Sequence, residues 1–159
     1  MNPIFQKLNY KDQQVLHVLQ APDSFEKALD EMRIETAVKT TLTGAKGVSF
    51  FLAFVTRQKE VDELIRKVVP LLENDAVLWF AYPKGISKKF KCEFNRDNGW
   101  KELGVLGFEP VRAVAIDEDW TAWHFRRAEN IKKMTRNMAI TEEGKRRVAL
   151  AKKMTTSKK

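Results

Sequence analysis

The side chains able to do chemistry are few and widely spaced. His17 sits inside the apolar run Val15-Leu16-His17-Val18-Leu19, and His124 sits among aromatics near the end of the last strand-like segment. Two histidines without metal-ligand spacing read as hydrogen-bonded structural residues rather than as a metal or acid–base pair. Cys92 is the only cysteine. It excludes an intramolecular disulfide and a cysteine-based zinc site, and it fits a reducing, cytoplasmic setting. Its neighbours Lys89 and Lys91 could lower its pKa, but no base accompanies it, so it reads as an incidental loop thiol. Asp117-Glu118-Asp119 is the densest acidic cluster. It could bind a cation or supply an acid–base pair, yet aspartate at this spacing also suits a hairpin turn, which is the preferred reading.

Two basic groups remain. The loop 84–96 carries Lys84, Lys88, Lys89, Lys91 and Arg96, which could hold a phosphate or another anion together with the amides of the following helix. The alternative is a solvated surface loop. The second group is terminal. Residues 126–159 hold 12 Lys and Arg against 3 Asp and Glu, a net of +9, while residues 1–125 hold 17 against 18, a net of −1. The overall charge of +8 therefore belongs to a tail and not to the domain. Its basic residues include Arg126, Arg127, Lys132, Lys133, Arg136, Lys145, Arg146 and Arg147. Such a segment suits a nucleic acid or an acidic protein partner, with affinity that falls steeply with salt. No aromatic follows Phe125, so neither stacking on single-stranded bases nor membrane anchoring is supported.

These groups need elements to position them. Asn2 and Pro3 start a short helix to about Leu8. Residues 15–19 are the first strand. Asp23 and Glu26 have capping-box spacing before a helix to about Met32. Residues 36–42, rich in Thr and Val, read as an edge strand. Residues 48–55 form a continuous apolar strand covered on both faces. Thr56 caps a helix whose stripe is Val61, Leu64, Ile65, Val68 and Leu72, with Pro70 kinking its last turn. Asn74 and Asp75 end that helix, and 76–81 is the fourth strand. A helix near 97–106 closes at Gly107. Residues 111–117 and 120–126 form a terminal hairpin, with Trp120 and Trp123 on opposite faces of its second strand and Trp79 and Phe80 likewise split. With 43% apolar residues the chain can build a core, but no apolar run reaches the roughly 18 residues of a membrane span. No secretory signal is visible at the N-terminus.

Strands alternating with helices imply parallel pairing in a covered sheet. The expected fold is a three-layer α/β, Rossmann-like sheet, mostly parallel with a C-terminal antiparallel hairpin strand, in order 2-1-3-4-6-5. Residues 1–127 form this domain, and 128–159 form a basic, helical extension with stretches at about 127–138 and 142–154. Several motifs also match a known family: Leu8-Asn9-Tyr10-Lys11, Val18-Leu19-Gln20-Ala21-Pro22, Phe54-Val55-Thr56, Leu78-Trp79-Phe80-Ala81-Tyr82-Pro83-Lys84 and Val114-Ala115-Ile116-Asp117-Glu118-Asp119-Trp120-Thr121. Over about residues 2–127 the chain resembles the bacterial domain-of-unknown-function family numbered three thousand fifty-two. That resemblance implies a fold and no mechanism. The topology also looks like a shortened class I methyltransferase.

A nucleotide-like cofactor in such a sheet needs glycines after the first strand and an acidic residue after the second. The turn 20–25, Gln20-Ala21-Pro22-Asp23-Ser24-Phe25, has no glycine, and Pro22 removes a donor. The second strand is followed by Thr40, Thr41 and Thr43. No cofactor is therefore expected. The favoured reading is a non-catalytic binding or regulatory domain whose basic tail contacts a polyanion or partner. The rival is an atypical nucleotide or S-adenosyl ligand-binding protein or enzyme that uses the loop 84–96. A structural or oligomerisation module is the third.

Overall fold

Backbone pairing in the computed structural model, which describes residues 2–94 and 98–131, gives one six-stranded sheet. In chain order the elements are α1 (Pro3–Lys7), β1 (Val15–Leu19), α2 (Glu26–Arg33), β2 (Ala37–Lys39), β3 (Val48–Phe54), α3 (Gln58–Val68), β4 (Leu72–Pro83), α4 (Lys101–Val105), β5 (Phe108–Ala115) and β6 (Trp120–Arg127). The strand order is β2-β1-β3-β4-β6-β5. The first four strands pair in parallel, and β6 inserts antiparallel between β4 and β5. This is the expected Rossmann-like sheet with its inserted hairpin strand.

Alternation along each strand divides the apolar residues between two cores. On one face Leu16, Val18, Phe50, Leu52, Trp79 and Trp120 meet Phe5 of α1, Leu8 directly after it, and Leu29 and Met32 of α2. On the other Leu19, Phe51, Phe80 and Trp123 meet the α3 stripe and Leu103 of α4. The tryptophan and Trp79/Phe80 pairs split as the odd spacing requires. Val61, Leu64, Ile65 and Val68 of α3 are all buried. Each contributes about 1.5–3 kcal/mol relative to an exposed side chain.

The N-terminal turn is fastened to the centre of the sheet. Asn2 Oδ1 accepts from Ile4 N at 2.9 Å and caps α1. The Trp79 indole Nε1–H donates to Leu8 O at 2.8 Å. Arg112 lies with its guanidinium 5.6 Å from the Trp79 ring and donates to Lys7 O and Asn9 Oδ1.

Several expected boundaries change, each for a local reason. Asp23 does not cap α2. Residues Asp23–Phe25 form a 3-10 turn instead, and Phe25 N donates to Pro22 O at 2.9 Å. The α-helical part of α3 ends at Val68, so Leu72, expected as the last residue of its apolar stripe, instead begins β4. Pro70, which has no N–H to donate, lies in a 3-10 turn at Val69–Leu71. Asn74 and Asp75 consequently lie inside β4 and do not end a helix. Val48 pairs with Leu72 and Phe50 with Val77, so β4 carries extra residues there, with Asp75 at φ 55° absorbing the excursion. The edge strand β2 pairs over only three residues, shorter than the 36–42 expected. Gly107 ends α4 at φ +90°, where a glycine is needed.

Candidate functional site

In a parallel α/β sheet, ligands meet the carboxyl ends of the strands where the order reverses. Here that point lies between β1 and β3. Gln20, directly after β1, has φ +61°. The left-handed backbone that glycine would provide is present, but a side chain comes with it. With its amide nitrogen facing inward, Gln20 donates to Phe54 O at 2.9 Å and Glu60 Oε2 at 3.0 Å. The other oxygen of Glu60, Oε1, accepts from Thr56 N at 3.1 Å, Thr56 Oγ1 at 3.2 Å and Arg57 N at 3.1 Å. Glu60, not Thr56, thus caps α3. One carboxylate joins the ends of β1 and β3 and the first turn of α3, and a glutamine bridges the crevice. Sequence reasoning missed this pair. The available signal was a glutamate in the first turn of a helix.

Among the described residues, concavities open near the carboxyl ends of the strands. The first, of about 590 Å³, lies at the ends of β1 and β2 and includes Thr40–Thr43. The second, of about 500 Å³, lies between the turn at Pro22–Ser24 and the β5–β6 hairpin, with Lys89 and Phe90 on its wall. The third, of about 490 Å³, lies beside Lys84 and Lys91, with Tyr82, Phe90, Cys92 and Phe94. The loop lysines are therefore distributed. Lys84 and Lys91 share one cleft, Lys89 faces Asp23 and Asp117–Asp119 in another, and Lys88 is exposed outside both. Arg96 lies outside the described residues.

Ser87 pins the loop to the hairpin. Its hydroxyl donates to Asp119 Oδ1 at 2.8 Å and accepts from Phe90 N at 3.1 Å, while Lys84 N donates to Asp119 O at 2.8 Å. Asp117 Oδ1 accepts from both Asp119 N and Trp120 N at 2.8 Å. The acidic cluster therefore does turn chemistry, as its composition suggests. Among the described residues no group of three His, Cys, Asp or Glu side chains could hold a metal ion.

The two histidines lie on opposite faces of the sheet. His124 stacks on Trp79, with ring centroids 4.8 Å apart at 17°. Burial pushes it down to about 4, assisted by Arg112 and Arg126. His17 is also lowered, chiefly by burial and further by Lys39, against a raising hydrogen bond that it donates to the Phe50 backbone carbonyl. Cys92 is half-buried. Its thiol is raised by burial and by Glu93, against a lowering hydrogen bond at the Phe94 backbone. The lowering expected from Lys89 and Lys91 is overturned, because losing water around the thiolate outweighs exposed ammonium groups.

Of the basic residues at the end of the domain, Arg126 is engaged with Asp75 through Nε at 3.0 Å and Nη2 at 2.7 Å. Arg127 lies over the Phe108 ring at 4.7 Å. Lys132, Lys133, Arg136, Lys145, Arg146 and Arg147, with the helical stretches expected there, lie outside the described residues. Among the described residues no helix is long and apolar enough to cross a membrane.

No family model matches the chain, and no curated protein matches it. The resemblance to the family numbered three thousand fifty-two thus gains no support. Among solved structures, a predicted type 11 methyltransferase from Sulfolobus solfataricus is 9% identical with a TM-score of 0.48, covering 83% of this chain and 92% of its own. A fibrillarin/Nop5p complex is 12% identical with a TM-score of 0.44, covering 78% of each chain. Both likenesses are faint, and the architecture rests on the strand order and pairing.

Proposed function

We propose that this chain is a non-catalytic binding domain that presents a basic C-terminal segment to a polyanion, either nucleic acid or an acidic protein. The observation that carries this reading is the segregation of charge: +9 over residues 126–159 against −1 over residues 1–125. The geometry of the sheet edge supports it. Gln20 and Glu60 bridge the crevice where a cofactor's phosphates or methionine moiety would approach backbone. Arg126 and Arg127 serve the domain itself, so the partner-facing charge begins at Lys132.

The test is retention on immobilised heparin and duplex DNA over a salt series. The full chain is compared with a full-length variant in which Lys132, Lys133, Arg136, Lys145, Arg146 and Arg147 are all glutamine. The expected result is a steep loss of retention with salt for the natural chain and a much shallower one for the variant. Equal retention of the two would overturn the reading.

The cleft beside Lys84 favours a second reading: an atypical nucleotide or S-adenosyl ligand held by the loop 84–96. Two lysines and three aromatic side chains share that cleft. Saturable thermal stabilisation by a nucleotide or an S-adenosyl compound, lost in Lys84→Gln, would favour it over the first.

A further inference from the structure

The connection from β2 to β3, residues 40–47, contains no helix. In a sheet of this type a helix here would cover the flank of β1 and β2. Only Leu42 and Ala45 of the connection pack against the core beside α3. The end of α3 therefore stands away from the threonine loop, with the carboxyl end of β1 between them. The resulting cleft of about 590 Å³ falls within the range of small-molecule sites, about 300–1,000 Å³.

Its lining has a consistent chemistry. Leu19, Leu42, Leu64 and Leu71 supply the apolar part of the lining, and the bridging Gln20 also borders it. Thr40, Thr41 and Thr43 supply hydroxyls on one rim, and none of these side chains makes a hydrogen bond among the described residues. Lys67, on α3, lines the same cleft and is exposed. Its neighbour Arg66 pairs with Glu102, but Lys67 makes no ion pair among the described residues. No Asp or Glu lines the cleft. One cation, several hydroxyl donors and an apolar floor without a carboxylate select a ligand of negative sign with an apolar body. The same lining disfavours a ligand held by its ribose hydroxyls, which would need an acceptor at the end of β2.

We propose that this cleft binds a small amphipathic organic anion, with its carboxylate or phosphate head at Lys67 and the threonine hydroxyls and its apolar body on the leucines of the lining. This site is separate from the basic tail and from the loop 84–96.

The experiment uses the full chain and two anionic probes, octanoate and phenyl phosphate, each paired with its neutral analogue, octanol or phenol. Binding is followed by calorimetry and by amide chemical shifts. One equivalent of at least one anion should bind saturably, with shifts concentrated at residues 40–43 and 64–71. The matching neutral compound should bind at least about tenfold more weakly. Which anion binds more tightly distinguishes a carboxylate head from a phosphate head. Lys67→Gln should weaken binding about tenfold or more, and Thr43→Glu, which places a carboxylate at the rim, should abolish it. Both positions are exposed, so unchanged melting temperatures will show that the variants fold. The proposal fails if neither anion saturates at millimolar concentration. It also fails if both variants bind as tightly as the natural chain, since the anion would then reside elsewhere, the tail included.

Discussion

The half of the sheet that closes the chain is built on long strands and interlocked aromatics, while the half that opens it tapers to an edge. β4 spans twelve residues, and β5 and β6 span eight each. Around them Phe80, Trp100 and Phe125 meet at centroid distances of 5.1–6.3 Å, and Trp79 stacks on His124. At the other end β2 has three residues and no fully buried side chain. The closing half therefore carries the density of contacts that defines the fold. The sheet has an edge at each end, but the opening half ends in the three-residue β2 beside the Thr40–Thr43 cleft, whereas the closing half ends in the eight-residue β5. Binding sites tend to occupy the less tightly determined parts of a structure, which is why the sparse half is the better place to look for a small ligand.

The contrast can be broken by substitution. Trp79→Ala should lower the free energy of unfolding by about 3–5 kcal/mol, since it empties a fully buried site and leaves Leu8 O without its donor. Val38→Ala in β2 should cost less than about 1 kcal/mol. Urea titrations of the two variants give the comparison, and similar costs would mean that the edge is held as firmly as the centre.

A second test is pH. His124 has a folded pKa of about 4 against 6.5 for the ordinary group. Between those values the unfolded chain takes up a proton that the folded chain refuses, so stability falls as pH drops from about 6.5 to 4 and levels off below. The size is about 3 kcal/mol at full effect. Carboxylates titrate in the same range, so the measurement is the difference from His124→Phe, which keeps a ring on Trp79 and cannot titrate. A natural chain whose pH dependence parallels that of the variant would show that His124 is solvated.

The bridge after β1 gives a third comparison. Gln20→Ala loses both side-chain hydrogen bonds and keeps the positive φ, at a cost of about 1–2 kcal/mol. Gln20→Gly loses the same bonds but relieves the backbone, so it should be more stable than the alanine variant by about 1 kcal/mol. An alanine variant as stable as the natural chain would remove the bridge from the account. The smallest expected effect is at Arg126→Ala. Its pair with Asp75 is partly exposed and worth about 0–1 kcal/mol, a difference that salt should erase.

Periodicity carried most of this architecture. The apolar stripe of α3, the odd spacing of Trp120 and Trp123, and the alternation of strands with helices all led to the observed order. What escaped was set by long-range geometry. Nothing local in Asn74 and Asp75 shows that they belong to a strand, because their position follows from the pairing of Leu72 with Val48. Nothing local in Gln20 shows that its amide reaches a carboxylate forty residues later. The missing glycines were legible, but the residue that replaced their function was not. The clefts were equally hidden, because a concavity depends on which elements fail to meet. The distribution of the loop lysines among separate clefts likewise needed the third dimension.

The bond between the Trp79 indole and Leu8 O joins residues seventy-one positions apart. It makes the indole proton a built-in reporter. A nucleus at the centre of β4 senses whether the first helix is seated, and no label need be added. Its exchange with solvent deuterium should track departure of the N-terminal turn. If that turn lifts independently, the indole proton will exchange faster than the backbone amides of β4 on either side of it. If the turn leaves only when the sheet comes apart, the rates will coincide, and residues 2–8 will prove to be an integral part of the core.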